Sequence, residues 1–149
     1  MPDAPRRRAG SRVAPALLAA YRAARYRVEV APARFTLRIG RRSLALARLM
    51  RDRRARGCAL LTAWNPRGRR RTLAANRAAQ RALVEALHAA GIATWPARGL
   101  DPRGRWRAEE SVLALDLAPA AARAFGRRHA QNAIVRVGTD AVPRLEPLR

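Results

Sequence analysis

The chain has no lysine, one cysteine, two histidines and ten acidic residues among its 149 positions. Each scarcity excludes something. A lone cysteine, Cys58, forbids a disulfide within the chain and suits a reducing, cytoplasmic setting. It sits inside an apolar run, so it reads as a buried, inert thiol and not a nucleophile. With His88 and His129 as its only soft companions it gives no zinc spacing, and no metal is expected. No apolar run approaches the ~18 residues of a membrane span, so no membrane partner is expected. The P-loop, dinucleotide, helix-turn-helix and RRM signatures are missing too, and no cofactor is indicated.

Arginine dominates what is present. All 32 basic residues are arginine, and the formal charge is +22. Arginine and alanine abundance together fit a compositional bias, but the charge is uneven. Residues 1–81 hold 22 arginines against three acids, a balance of +19, and residues 82–149 hold 10 against seven, a balance of +3. A uniform bias does not produce that asymmetry. A polyanion-binding face and a solvated Arg-biased surface both remain open readings.

The organising stretch is 58–72. It begins as an unbroken apolar run, and Cys58 to Trp64 reads as a strand buried on both faces. Pro66 ends it by pushing Asn65 toward extended geometry. Gly68 permits a tight loop, and Thr72 caps a helix running from Leu73 to Ala90, closed by Gly91. Strand, polar loop and helix form a general anion site, because free N–H groups of the first helical turn face the loop. Arg67, Arg69, Arg70 and Arg71 add to that field.

The rest follows in order. Residues 1–12 read as a disordered basic tail and 13–149 as one domain. Helices are expected over 15–25, 44–54 (capped by Ser43 and closed by Gly57) and 120–130, with Pro119 in the first turn of the last. Alternation gives strands at 26–30 and 35–39, paired as a hairpin, and at 106–117. Shorter strands fall at 92–95, stopped by Pro96, at 132–137, and at 142–148 as an edge. The fold class is α+β, a mixed sheet with helices packed on it.

Polar residues stand where apolar ones are expected. In the long helix the seam Leu73, Asn76, Gln80, Leu83, Leu87 puts two amides on the core face. They suit a structural network or a pocket equally. Alternation puts Glu109 and Ser111 on the face of Leu113, Leu115 and Leu117. Glu109 is the weak catalytic candidate, and a structural salt bridge is its bland alternative. Gln131 follows His129 at a helix-to-strand junction and could cap the helix or enter a pocket. Trp64, Trp95 and Trp106 lie near loops. Trp106, between two arginines, could stack a base or simply pack.

Several of these segments resemble one small bacterial family, the domain of unknown function DUF 3293. They are Tyr21 to Tyr26, Phe35 to Gly40, Leu61-Thr62-Ala63-Trp64-Asn65-Pro66, Asn76, Trp106 with Glu109-Glu110-Ser111, and Gln131-Asn132-Ala133. The resemblance runs over about 21–145 and implies kinship without an activity. His129 lies outside the motif.

Three functions follow as expectations. The first is binding of a phosphate-bearing ligand, nucleotide or nucleic acid, at Asn65, Arg67, Arg69, Arg70, Arg71 and Thr72, with Asn76, Gln80, Trp106, Glu109, Ser111 and Gln131 around it. The second is a small enzyme using Glu109 with Asn65, Asn76 and Gln131. The third is a structural or partner-binding module with no ligand.

Overall fold

Period-2 alternation in the β segments and period-3.6 stripes in the helices meet in a curled antiparallel sheet with helices on both faces. The computed structural model describes residues 13–149, so the basic tail expected over 1–12 lies outside the described residues. The elements are α1 (Pro15–Ala23), β1 (Arg25–Val30), β2 (Ala33–Arg38), α2 (Leu44–Asp52), β3 (Cys58–Leu61), a 3-10 turn (Pro66–Gly68), α3 (Leu73–Ala89), β4 (Thr94–Leu100), β5 (Glu109–Leu115), α4 (Pro119–Arg128), β6 (Ala133–Val137) and β7 (Pro143–Pro147). The fold is a single α+β domain. Its seven strands run in the order β2-β1-β4-β5-β3-β6-β7, each pair antiparallel.

β3 is interior, between β5 and β6, and all four of its residues are buried. One face of the sheet carries Val28, Leu37, Cys58, Leu60, Leu113 and Val135, covered by Leu46 and Met50 of α2. The other carries Ala59, Leu61, Val112, Ala114 and Ile134, covered by α3 through Leu83 and Leu87 and by α4 through Ala122. Cys58 is buried, and burial pushes its thiol up to about 12, so it stays protonated. Among the described residues no helix is long and apolar enough to cross a membrane.

The sheet corrects several local expectations. Pro96 does not end β4, which continues to Leu100. The β1–β4 ladder stops instead at Val28 opposite Ala97, one residue short of the proline that cannot donate to it. Residues 106–108 precede β5. Leu117 joins the opposite core cluster from Leu113 and Leu115, because Asp116 takes a positive φ of 53° and breaks the alternation. Leu73 is 41% exposed and leaves the α3 seam. Gly57 does not close α2. Arg54, at φ 54°, takes the left-handed position, and Gly57 is needed elsewhere: a Cβ there would sit 2.6 Å from the Val137 carbonyl oxygen. Since every strand pair is antiparallel, the rule that places ligands at the carboxyl ends of parallel strands has no purchase here.

Candidate functional site

Beyond Leu61, β3 loses its ladder with β5, yet its backbone donors are not left bare. Ala63 N–H donates to Gln80 Oε1 at 2.9 Å and Asn65 N–H donates to Asn76 Oδ1 at 3.0 Å. The fit is geometric. Four helix residues rise about 6.0 Å, close to the ~6.7 Å spanned by two strand residues, so two amides one turn apart meet alternate N–H groups. The amides on the core face of α3 therefore serve as a substitute strand edge.

Asn65 is held on all sides. It does not take the extended geometry expected before Pro66 but a left-handed backbone, φ 43° and ψ 59°, which asparagine tolerates better than most residues. Its Oδ1 accepts from Asn76 Nδ2 at 2.9 Å and from the Arg71 N–H at 3.1 Å. Its Nδ2 donates to Glu109 Oε1 at 3.0 Å. Thr62, marked in the sequence only as part of the family resemblance, ties the same corner: its hydroxyl donates to the Glu110 carbonyl at 2.7 Å and accepts from the Trp64 N–H at 3.1 Å.

A cavity of about 270 Å³ opens beside this corner. Its roof is α1. Leu17, Ala20, Tyr21 and Ala24 follow i, i+3, i+4, i+7 spacing, one helical face, and all line the space. No residue of α1 is fully buried, as expected of a helix lying over a void. Tyr26, Trp64 and Trp106 supply aromatic walls, with Gly99 beside Tyr26 and Trp106. Tyr26 donates its hydroxyl to the Tyr21 carbonyl at 2.8 Å. Burial raises both tyrosine hydroxyls above the ordinary phenol range.

The polar lining is Thr62, Asn65, Arg70, Glu109 and Gln131. Gln131 donates from Nε2 to the Trp64 and His129 carbonyls at 3.2 and 3.1 Å. The Trp64 Nε1 donor is buried without a partner among the described residues. Glu109 is the chemically distinctive member. Burial pushes its carboxyl up, and the Asn65 hydrogen bond pulls it back only in part. In a chain of 32 arginines, no described arginine lies within 4.0 Å of it. The structural salt bridge expected for Glu109 does not form among the described residues.

The residues singled out in the sequence thus divide. Asn65, Arg70, Trp106, Glu109 and Gln131 line the cavity. Asn76 stands behind Asn65 and does not line it. Gln80 and Ser111 also lie outside, and the buried Ser111 hydroxyl has no partner among the described residues. Arg67, Arg69, Arg71 and Thr72 are exposed around the loop. Thr72 caps α3, accepting from Ala75 N–H at 3.1 Å. His129 is outside the cavity and is held toward its neutral form by burial and then by Arg128. Trp95 packs on the core, with Arg53 over its ring at 5.1 Å.

Tyr21, Tyr26, Thr62 and Trp64 are among the lining residues that sequence reasoning left out of the site. The tyrosines carried a signal only in the resemblance, whose first segment begins and ends with them. Among the described residues no group of three or more His, Cys, Asp and Glu side chains could hold a metal ion.

No curated protein and no solved structure matches the chain. One family model does, that of a protein of unknown function, DUF3293, over a narrower stretch than the 21–145 of the resemblance. That stretch holds β3's end, the Asn65–Asn76–Glu109 corner and Gln131, though not the roof helix. Residues 61–134 of this chain match the DUF3293 family model.

Proposed function

We propose that the domain binds a small phosphate-bearing ligand with a flat ring, a nucleotide being the fitting class. The observation that carries this reading is that Glu109 and Arg70 line one cavity without pairing to each other. A ligand with hydrogen-bond donors at one end and an anion at the other answers both. Volume sets the pose. Pockets for drug-sized molecules run to roughly 300–1,000 Å³, so a cavity of about 270 Å³ holds a ring and not a whole nucleotide. The ring lies among Tyr21, Tyr26, Trp64 and Trp106, where stacking is tolerant of base identity. Its donor edge meets Glu109, and its phosphate stays outside near Arg70 and the exposed loop arginines.

Titrating nucleoside monophosphates while following tryptophan fluorescence tests this. Losing a hydrogen bond to a charged group costs about 1.5–3 kcal/mol, so Glu109→Ala and Arg70→Gln should each weaken binding roughly 10- to 150-fold. No nucleotide binding by the parent, or binding that neither substitution changes, overturns the proposal. A second reading, an enzyme using Glu109 as general acid or base, draws on the raised carboxyl. Carboxyls tuned upward by burial are suited to that work. Conversion of the bound ligand, abolished in Glu109→Gln while binding persists, would favour it.

A further inference from the structure

The cavity occupies one face of the sheet, and the strands that wall it send a different set of side chains to the other. Tyr26, Val28 and Val30 of β1, Phe35 and Leu37 of β2, and Trp95 and Ala97 of β4 all belong to the core on the α2 side. Pleating therefore turns Arg25, Arg27, Arg34, Arg38 and Arg98 to the opposite face. α3 and α4 cover only part of that face. The apolar cluster beneath them takes nothing from β1, β2 or β4. Between α3 and β4 this leaves a groove of about 740 Å³, bordered by Arg77 and Arg81 on the helix and Arg98 on the strand.

The registers concentrate charge there. Arg25 lies directly opposite Arg38 on β2, and Arg27 directly opposite Arg98 on β4. Like charges facing each other across a ladder are destabilising. Partial desolvation, then Arg25 and Arg41, hold the Arg38 guanidinium below its ordinary value. Carboxylates relieve only part of this: Glu29 reaches Arg27 at 3.7 Å and Glu110 reaches Arg77 at 3.5 Å. Among the described residues, Arg25, Arg34, Arg38, Arg81 and Arg98 have no carboxylate within 4.0 Å. Seven arginines thus share the face with Glu29, Glu85 and Glu110. A second, independent feature is Gln80. It is 6% exposed and lines the groove, and its Nε2 has no partner among the described residues.

We propose that this bare, arginine-lined face docks the sugar–phosphate backbone of a nucleic acid, held by charge and not by base sequence. Phosphates would separate the opposed arginines, and Gln80 Nε2 would donate into the groove. A membrane surface fits less well, because interfacial binding wants an apolar side. The exposed large apolar residues, Leu44 and Leu73, do not line the groove. The inference stands apart from the cavity reading and can hold or fail without it.

The test is fluorescence anisotropy of labelled single strands and duplexes at several salt concentrations. The proteins are the parent, the Arg25→Gln/Arg34→Gln/Arg38→Gln/Arg98→Gln variant, and a loop control, Arg69→Gln/Arg71→Gln. A footprint of about four phosphates gives a log–log slope of about −3.6 on duplex and about −2.8 on single strands, or roughly a hundredfold loss from 50 to 200 mM salt. The face variant should shrink that loss to below about tenfold, while the loop control keeps the parent slope. The face variant should melt close to the parent, since relieving Arg25 opposite Arg38 and Arg27 opposite Arg98 offsets the loss of Arg34 opposite Glu29 and Arg98 opposite Glu110. Nucleotide titration of the same variant reads the cavity separately and should be unchanged. Parent-like salt dependence in the face variant overturns the proposal. So does flattening confined to the loop control, or binding to phosphatidylserine vesicles with none to nucleic acid.

Discussion

The two faces of the β1–β4 region are built from the same strands and treat polar groups in opposite ways. On one face, under α1, polar side chains are few, partly buried and individually held: Asn65 alone makes or accepts four hydrogen bonds. On the other, arginines crowd in cross-strand pairs with too few carboxylates to match them. A group withdrawn from water must be satisfied in a fixed geometry, which makes its position specific. A solvated charge need not be, so its contribution is long-ranged and blunt. The enclosed face holds its polar groups in fixed positions, and the open face leaves its charges to solvent.

The largest effect that sharpens this contrast is on stability. Asn76→Ala strips the partner from the Asn65 N–H and loosens the left-handed corner. It should cost about 2–3 kcal/mol in urea denaturation, the penalty for orphaning a buried donor with its bond. A cost below about 0.5 kcal/mol would mean that the enclosed network is as dispensable as the open surface.

Next in size is a pH effect at Glu109. Its folded carboxyl titrates above the ordinary glutamate range, so the native state binds that proton more tightly than the unfolded chain. Stability from this group is therefore present at low pH. It is lost as pH rises from the ordinary value through the raised one, and is level above that. Glu109→Gln carries no such proton and should lack that slope. The variant should gain on the parent across the window, measured as the difference between their denaturation midpoints against pH. A difference curve that is flat, or falls, would place Glu109 in water and dissolve the distinction between the faces.

The smallest effect is on the open face. Arg38→Gln relieves repulsion from Arg25 and should raise the melting midpoint slightly at low salt, with the gain disappearing in about 1 M salt as screening takes over. A loss that persists in high salt would mean that Arg38 contributes packing, and that this face is less open than its register indicates.

Much of the scaffold was legible because its signals are local. The apolar run at Cys58 declared a buried strand, Ser43 and Thr72 declared their helix caps, and two amides on the α3 seam declared that something polar had to be met there. Glu109 stood out on a core-facing strand position for the same reason. What stayed hidden depends on which strands become neighbours. Pro96 looked like a stop, yet β4 passes through it because the β1 ladder ends one residue away. The arginines of β1, β2 and β4 looked like separate scattered charges until the registers set Arg25 against Arg38 and Arg27 against Arg98.

Sequence alone thus determined the α+β class, the interior strand and the two amides on the core face of α3, since pleat and helical period act over a few residues. Tertiary structure decided that Glu109 would meet Asn65 and not an arginine. It also decided that α1 would roof an aromatic cavity with Tyr21 and Tyr26 in it, and that the basic charge would divide between a loop and a bare sheet face. The reason is physical: periodicity says which way a side chain points, but only long-range strand order says what it points at.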